Sequence, residues 1–405
     1  MSLHFSRRDA ARLGVGIAAA FLLASLAWAL GTTRRPAPPG PAERRARSAV
    51  QAMLTEYYNA GLGLLSKYPT AARESHGSAP TSVPNESVEF DPAEVWGYSW
   101  ALAALEDAAQ LPGGARYAAG VRRLANNLSY YWDAGAPIPG YAPTLNPAPG
   151  AIKFFDDNAW AGLDLVGAYH LTRDSAYLRQ AQAVFRYEES GWDRVAGGIY
   201  WNDERLTRNT ASTAPAAELA VYLYRDTHQR SYLQWAERIY AWEIAHLVDH
   251  ETGQVYENID GSGNVAQTMW SYNQGAVIGG GVLLYSATHR DSYLRQAQKT
   301  ASFVLHRTLQ SDGTFAPEAQ FNGVLVDNLQ LLYSVTRDPA IRRAVQANAQ
   351  LAWTRARSGQ GLIGNDWAGP PPVTADEELL TQTGAVRLLC VNAILPAGGF
   401  GRLRL

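Results

Sequence analysis

The chain has 405 residues, 47% of them hydrophobic and 18% charged, with a formal net charge of -2. That composition can bury a sizeable core, which excludes a disordered chain, and its near neutrality excludes the sustained basic face that nucleic acid requires. Twelve Trp and 21 Tyr against 10 Phe supply rings with polar tips, suited to cores and to clefts that hold sugars, and the single cysteine, Cys390, permits no intrachain disulfide.

Residues 1–35 read as an export signal or an N-terminal membrane anchor. Arg7, Arg8 and Arg12 form a basic leader, residues 13–30 carry no charge, and Ala27-Trp28-Ala29 fits a small-x-small cleavage site. Ser6-Arg7-Arg8-Asp9 resembles a twin-arginine signal. The apolar run 13–30 is nearly long enough to remain in a membrane, so cleavage and retention both stay open. Either way the chain is expected outside the cytoplasm, in the cell envelope or beyond. Residues 36–45 read as a proline-rich spacer, and 46–400 as a single domain.

Helical periodicity predicts twelve helices, near 46–66, 96–110, 115–131, 158–170, 175–189, 212–226, 230–247, 272–287, 291–306, 321–336, 338–354 and 376–394. No strand hairpin is expected. A weak repeat supports the count: Thr172-Arg173-Asp174-Ser175 to Ala181, His289-Arg290-Asp291 to Ala297, Thr227 to Ala236 and Thr336-Arg337-Asp338-Pro339 share one plan. Each is a tight turn followed by a helix start. Short turns alternate with long loops, so in an up-down array all long loops collect at one end. Twelve helices in six hairpins predict an all-α fold, an (α/α)6 toroid, with an open superhelix as the alternative.

The long loops hold the chemistry-bearing residues. They carry Lys153-Phe154-Phe155-Asp156-Asp157-Asn158-Ala159-Trp160, then Gly197-Gly198-Ile199-Tyr200-Trp201-Asn202-Asp203 with Arg208-Asn209, then Trp270-Ser271-Tyr272-Asn273-Gln274-Gly275, Glu318 to Gly323, and Gly364 to Pro370 around Trp367. Aromatic faces beside Asn, Gln and Asp match the apolar faces and hydroxyl rim of a sugar. Asp156-Asp157 is the sharpest feature. Its bland explanation is a helix cap plus a first-turn acid. Its position on the loop-rich face points instead to glycoside cleavage, which needs two carboxyls in different protonation states, about 5–5.5 Å apart in retaining enzymes. The helix N-terminus favours one ionised Asp, whose charge raises the pKa of the other. The dipeptide alone does not say which is which. His246 and His250 lack a HExxH pattern, and the acidic stretch 249–260 lacks the ligand alternation of a calcium loop, so neither a metal nor a cofactor is expected.

At these residues the chain resembles glycoside hydrolase family 76, the endo-α-1,6-mannanases. The match runs from Val95 to Leu389. Its most specific element is Phe155-Asp156-Asp157-Asn158-Ala159-Trp160, supported by Ser190-Gly191-Trp192-Asp193, Gly197 to Asn202, Tyr272 to Gly275 and Gln320 to Gly323. The resemblance implies an (α/α)6 barrel, retention of configuration and α-1,6-mannan as the partner, with Asp156 as nucleophile and Asp157 as acid/base. Asn158, Trp201, Asn202, Asn209, Tyr272, Asn273, Gln274 and Trp367 are the expected substrate contacts. Two departures stand out: Thr213 replaces an expected Asn, which puts one sugar hydrogen bond in doubt, and Val326-Asp327 replaces an expected Arg. Transglycosylation would use the same intermediate. The alternatives are an inverting glycosidase or sugar epimerase in a helical barrel, and a non-catalytic glycan-binding toroid. A monomer is expected.

Overall fold

A computed structural model describes residues 38–70, 91–135, 138–373 and 377–395; the leader at 1–35 lies outside them. Twelve α-helices are present among the described residues. They are α1 (Pro41–Tyr57), α2 (Val95–Ala109), α3 (Ala118–Asn127), α4 (Phe155–Thr172), α5 (Ser175–Ser190), α6 (Thr210–Thr227), α7 (Arg230–Leu247), α8 (Ser271–Thr288), α9 (Asp291–Phe303), α10 (Ala319–Thr336), α11 (Pro339–Thr354) and α12 (Leu379–Ile394). None is long and apolar enough to cross a membrane.

The even-numbered helices form an inner ring. Each packs against the next, and α12 returns to pack on α2. The odd-numbered helices lie outside it, α3, α5, α7 and α9 each on the helix before them in the chain. The sixth hairpin joins the two ends of the domain: α1 packs on α12. The fold is an (α/α)6 barrel. The division follows from patterning. Along α8, residues 271–284 are buried apart from Tyr272, because small and apolar side chains occur all round the helix. In α9 only Ala297, Thr300 and Ala301 are buried, a single stripe. Inner helices also approach closely: a Cβ added at Gly384 of α12 would run into the Ala319 carbonyl of α10.

The repeat in the sequence is a repeat in space. Thr172, Thr227, Thr288 and Thr336 each donate a hydroxyl hydrogen bond, 2.6–3.0 Å, to the carbonyl four residues back. Each also accepts the N–H two residues on, at 3.3 Å. The residue between (Arg173, His228, His289 or Arg337) is left-handed, with φ from 56° to 60°. Such a conformation costs a non-glycine residue about 1–2 kcal/mol, which the threonine bonds help to offset. Asp174 and Asp338 then cap α5 and α11 through the N–H groups of Ala176 and Ala340.

The loop end has its own repeated device. The fourth residue of five inner helices hydrogen-bonds the backbone of the loop that leads into that helix. Asn158 pairs with both the N–H and carbonyl of Tyr141, and Gln274 with both those of Val255. Thr213 accepts from Ile199 N–H, Gln382 accepts from Ile363 N–H, and Asn322 donates to the Ala316 carbonyl. These clamps fix the long loops relative to the ring.

Three expectations are corrected. The first helix ends at Tyr57 rather than near 66, because Asn59 Oδ1 accepts the N–H groups of Gly61 and Leu62 and Gly63 has φ 70°. The chain then turns back as a two-stranded hairpin, β1 (Tyr58–Asn59) with β2 (Leu64–Leu65). Pro41 is the first residue of α1, so residues 41–45, read as spacer, are helical there. Strand hairpins do occur: β3 (Trp132–Asp133) pairs with β4 (Gly140–Tyr141), and β5 (Thr207–Asn209), β6 (Asn258–Asp260) and β7 (Val265–Ala266) form an antiparallel sheet. Pairs of two or three residues are too short to show alternation in a sequence.

Candidate active site

A cavity of about 410 Å³ opens at the loop end of the barrel. Asp156 and Asp157 lie in it as the second and third residues of α4, both partly exposed. Neither caps the helix. That position falls to Phe154, which is extended and offers no side-chain hydrogen bond. The capping half of the bland explanation is therefore absent, while both acids do stand in the first turn of α4.

The start of α4 is held by the segment 201–203. Phe155 N–H donates to the Trp201 carbonyl, and Asp203 N–H to the Lys153 carbonyl. Asp203 accepts in return from Lys153 N–H and from the Tyr187 hydroxyl, and the Tyr187 ring stacks on Phe155 at 4.4 Å. Lys153 is fully buried and its ammonium lies 3.0 Å from Asp133 Oδ2. Burial works against an ionised Asp133, but the Gly135 and Gly150 N–H groups and the Lys153 ammonium outweigh it and hold the carboxyl below its usual range. Removing one partner of such a buried pair costs about 3–5 kcal/mol. This network places the Trp201 indole N–H 3.0 Å from Asp156 Oδ2.

The two aspartates have unequal surroundings. Burial raises Asp156, while the Trp201 indole and the Asp157 N–H, 3.0 Å from Oδ1, favour its charged form and leave it near 6. Burial, then the charge of Asp156, then that of Glu94, drive Asp157 well above the usual carboxylate range. Glu257 is a further acid in the same cavity. It accepts from Asn209 Nδ2 at 3.4 Å and from Asn273 Nδ2 at 3.1 Å, and burial chiefly, aided by the charge of Asp156, lifts it to about 7. Glu94, Asp156, Asp157 and Glu257 are thus four acids in the lining, which contains no Lys or Arg among the described residues. Trp96, Trp100, Phe154, Trp160, Trp201 and Tyr272 supply the aromatic surface.

The sequence model of Glycosyl hydrolase family 76 matches residues 42–396. The chain belongs to this family. Among solved family 76 proteins it is similar to the mannosidase Bt3792 of Bacteroides thetaiotaomicron VPI-5482, with TM-score 0.76 and 24% identity over 88% of this chain and 99% of that one. It is also similar to an inactive variant of the α-1,6-mannanase GH76A of Salegentibacter sp. HEL1_6 in complex with α-1,6-mannotriose. There the TM-score is 0.71, with 26% identity over 87% of this chain and 99% of that one. Among curated proteins, the mannan endo-1,6-alpha-mannosidase DCW1 of Candida glabrata is 35% identical over 127 residues, 28% of each chain. That of Saccharomyces cerevisiae is 30% identical over 154 residues, 34% of each. The chain therefore spans about a third of the length of the curated relatives it matches.

Of the residues expected at the site of this family 76 protein, Asp156, Asp157, Trp201, Asn209 and Tyr272 line the cavity. Five do not. Asn158 and Gln274 are the buried loop clamps described above, so their amides are already committed to backbone. Asn273 is buried and acts on Glu257 rather than lining the cavity. Asn202 turns its amide onto Glu204, accepting the backbone N–H at 3.0 Å. Trp367 is 2% exposed, edge-on to Phe315 in the core. Thr213 also belongs to the clamps, so the departure there bears on a loop and not on a sugar contact. Asp327, where an Arg was expected, takes its arginine from the next inner helix: Arg387 Nε lies 3.0 Å away.

Glu257, Glu94, Trp96 and Trp100 escaped sequence reasoning. Glu257 lies inside the acidic stretch 249–260, where the sequence shows only that a calcium-loop pattern is missing. A signal was present, since Glu257-Asn258 directly precedes a turn rich in Asp and Gly, as hairpins do. Glu94, Trp96 and Trp100 lie at the start of an inner helix, which sequence alone does not distinguish from a core position.

Proposed function

We propose that the protein is a retaining, endo-acting glycosidase that cleaves α-1,6-mannosidic linkages in an exported or cell-envelope mannan, acting as a monomer. The observation that carries this reading is the unequal pair: Asp156 receives two N–H hydrogen bonds, whereas Asp157 faces the charges of Asp156 and Glu94. Environments that push two carboxyls apart assign the roles. Asp156, ionised, attacks the anomeric carbon. The bond to the leaving oxygen breaks, and that oxygen takes the proton of Asp157. Water then attacks the same carbon, gives a proton to Asp157 and frees Asp156, so two inversions retain the configuration. The positive charge of the oxocarbenium-like transition state suits a cavity whose described lining has four acids and no Lys or Arg. The names of the relatives, and the mannotriose held by the Salegentibacter enzyme, support α-1,6-mannan as substrate. A sugar hydroxyl in place of water gives transglycosylation. The leader 1–35 directs export, and its apolar run 13–30 is either removed or kept as an anchor.

The test is to incubate the protein with α-1,6-mannan and oligomannosides and follow the first-formed anomer by NMR. Internal cleavage with an α-anomer is expected. A β-anomer overturns the retaining mechanism, and intact mannan overturns the substrate. Products longer than the starting oligosaccharide reveal transfer.

A further inference from the structure

Glu94 and Trp96 stand between the cleft and a neighbouring cavity. Both residues also line a second cavity, of about 220 Å³, on their other flank. It lies at the N-termini of the adjacent inner helices α2 and α12, on the loop end of the barrel. Glu94 and Glu378 stand at the N-cap positions of these helices, both extended, and neither carboxylate caps its own helix. Both face Lys67 instead, whose ammonium lies 3.8 Å from Glu94 and 3.7 Å from Glu378. The backbone fixes Lys67 there: its N–H donates to the Asp91 carbonyl, and its carbonyl accepts from Leu379 N–H. Tyr68 donates its hydroxyl to Glu378 at 3.2 Å. The Trp96 ring is held by stacking on Phe321, centroids 5.9 Å apart at 17°, and edge-on to Trp100.

Gly97 also borders this cavity, as the third residue of α2. A glycine inside a helix is less favourable than alanine. No packing constraint requires it here, since an added Cβ would meet only Ala93 Cβ, at 4.0 Å. What the missing side chain does is leave the cavity open.

Two carboxylates against one ammonium give the cavity a net negative charge, which disfavours phosphate or a uronic acid. The same groups offer acceptors and a donor to neutral hydroxyls, and Trp96 offers an aromatic surface. We infer that this cavity is a saccharide subsite, continuous with the catalytic cleft, that takes one further neutral hexose unit of the glycan through Lys67, Glu94, Trp96 and Glu378. The identity of that glycan rests on the function proposed above; the existence of the subsite rests on the cavity.

The test uses a ladder of linear α-1,6-mannooligosaccharides, read in two ways. One is the dissociation constant of each for the Asp156→Asn protein by calorimetry, and the other is kcat/KM for the wild type. Affinity should step up by roughly tenfold once the chain is long enough to reach the second cavity. Gly97→Leu, which fills the cavity with a better helix former, should abolish that step in the Asp156→Asn background, and Lys67→Ala should reduce it. A step unchanged by Gly97→Leu, or no step at any length, overturns the subsite. Wild-type protein that binds the ladder but cleaves none of it sinks the glycosidase reading, while the affinity step still decides the subsite. If no oligosaccharide binds, both fall.

Discussion

The two ends of the barrel solve the same connection problem in opposite ways. At the tight-turn end, four inner helices finish in one motif, a threonine followed by a left-handed residue, with the backbone groups of the turn satisfied locally. At the loop end, five inner helices begin with a common clamp, but the segments they hold differ in length, in secondary structure and in charge. The contrast extends to ionised groups. Deep in the ring, the buried Arg387 lies between Asp107 at 3.8 Å and Asp327, so both acids face a cation. In the cleft, four acids line one cavity with no Lys or Arg among its described lining residues. One end closes its own backbone and charges locally, and the other holds Asp156, Asp157 and Glu257 at raised pKa in a cavity.

The sharpest break in that comparison is Asp156→Asn, expected to lower kcat/KM on α-1,6-mannan by more than about 10⁴-fold while leaving the circular dichroism unchanged. Retained turnover would remove Asp156 from the mechanism.

Next come the two buried cations. Arg387→Met and Lys153→Met should each cost about 3–5 kcal/mol in denaturant unfolding, because each removes the buried cation of an ion pair. Lys153→Met should in addition lower kcat, since Lys153 belongs to the network that holds the start of α4 and Trp201. Equal stability with lowered kcat would place Lys153 in the chemistry rather than the scaffold.

A smaller effect is expected at the cleft rim. The Trp201 indole favours ionised Asp156, so Trp201→Phe should raise the pKa of that carboxyl above its value near 6. The acid limb of the kcat/KM profile should then move to higher pH by about one unit, with the largest loss below pH 6. An unmoved limb would mean that a different group controls it.

The smallest effect belongs to the tight-turn end. Arg337→Gly relieves a left-handed residue but loosens the unfolded chain, so stability should change by less than about 1 kcal/mol in either direction. A larger loss would show that the arginine side chain, 5.5 Å from the Tyr333 ring, contributes more than its backbone conformation costs.

The tight-turn end was legible in the sequence because its interactions are local. Thr172, Arg173 and Asp174 contact one another within a few residues, so the same spacing recurs as the same letters. The helix count was legible for the same reason. The loop end was legible in type and not in role. Asn158 and Gln274 are polar residues beside aromatics, as sugar contacts would be, and nothing within their own segments shows that a distant backbone has already taken their hydrogen bonds. Glu257 gave the converse error. It reads as one acid in a polar loop, and it enters the cleft because β6 pairs with β5 and draws it beside Asn209, 48 residues away in the chain.

By itself the sequence determined the helices, their hairpins, and the placing of Asp156 and Asp157 together at a helix start, because periodicity, turn chemistry and adjacency along the chain are short-range. Only the tertiary structure decided that α1 closes the ring against α12, that Trp201 adds a second hydrogen bond to the one Asp156 accepts from Asp157 N–H, and that Glu94 and Glu257 share its cavity. Those contacts join segments tens to hundreds of residues apart, and burial and charge act through space rather than along the backbone.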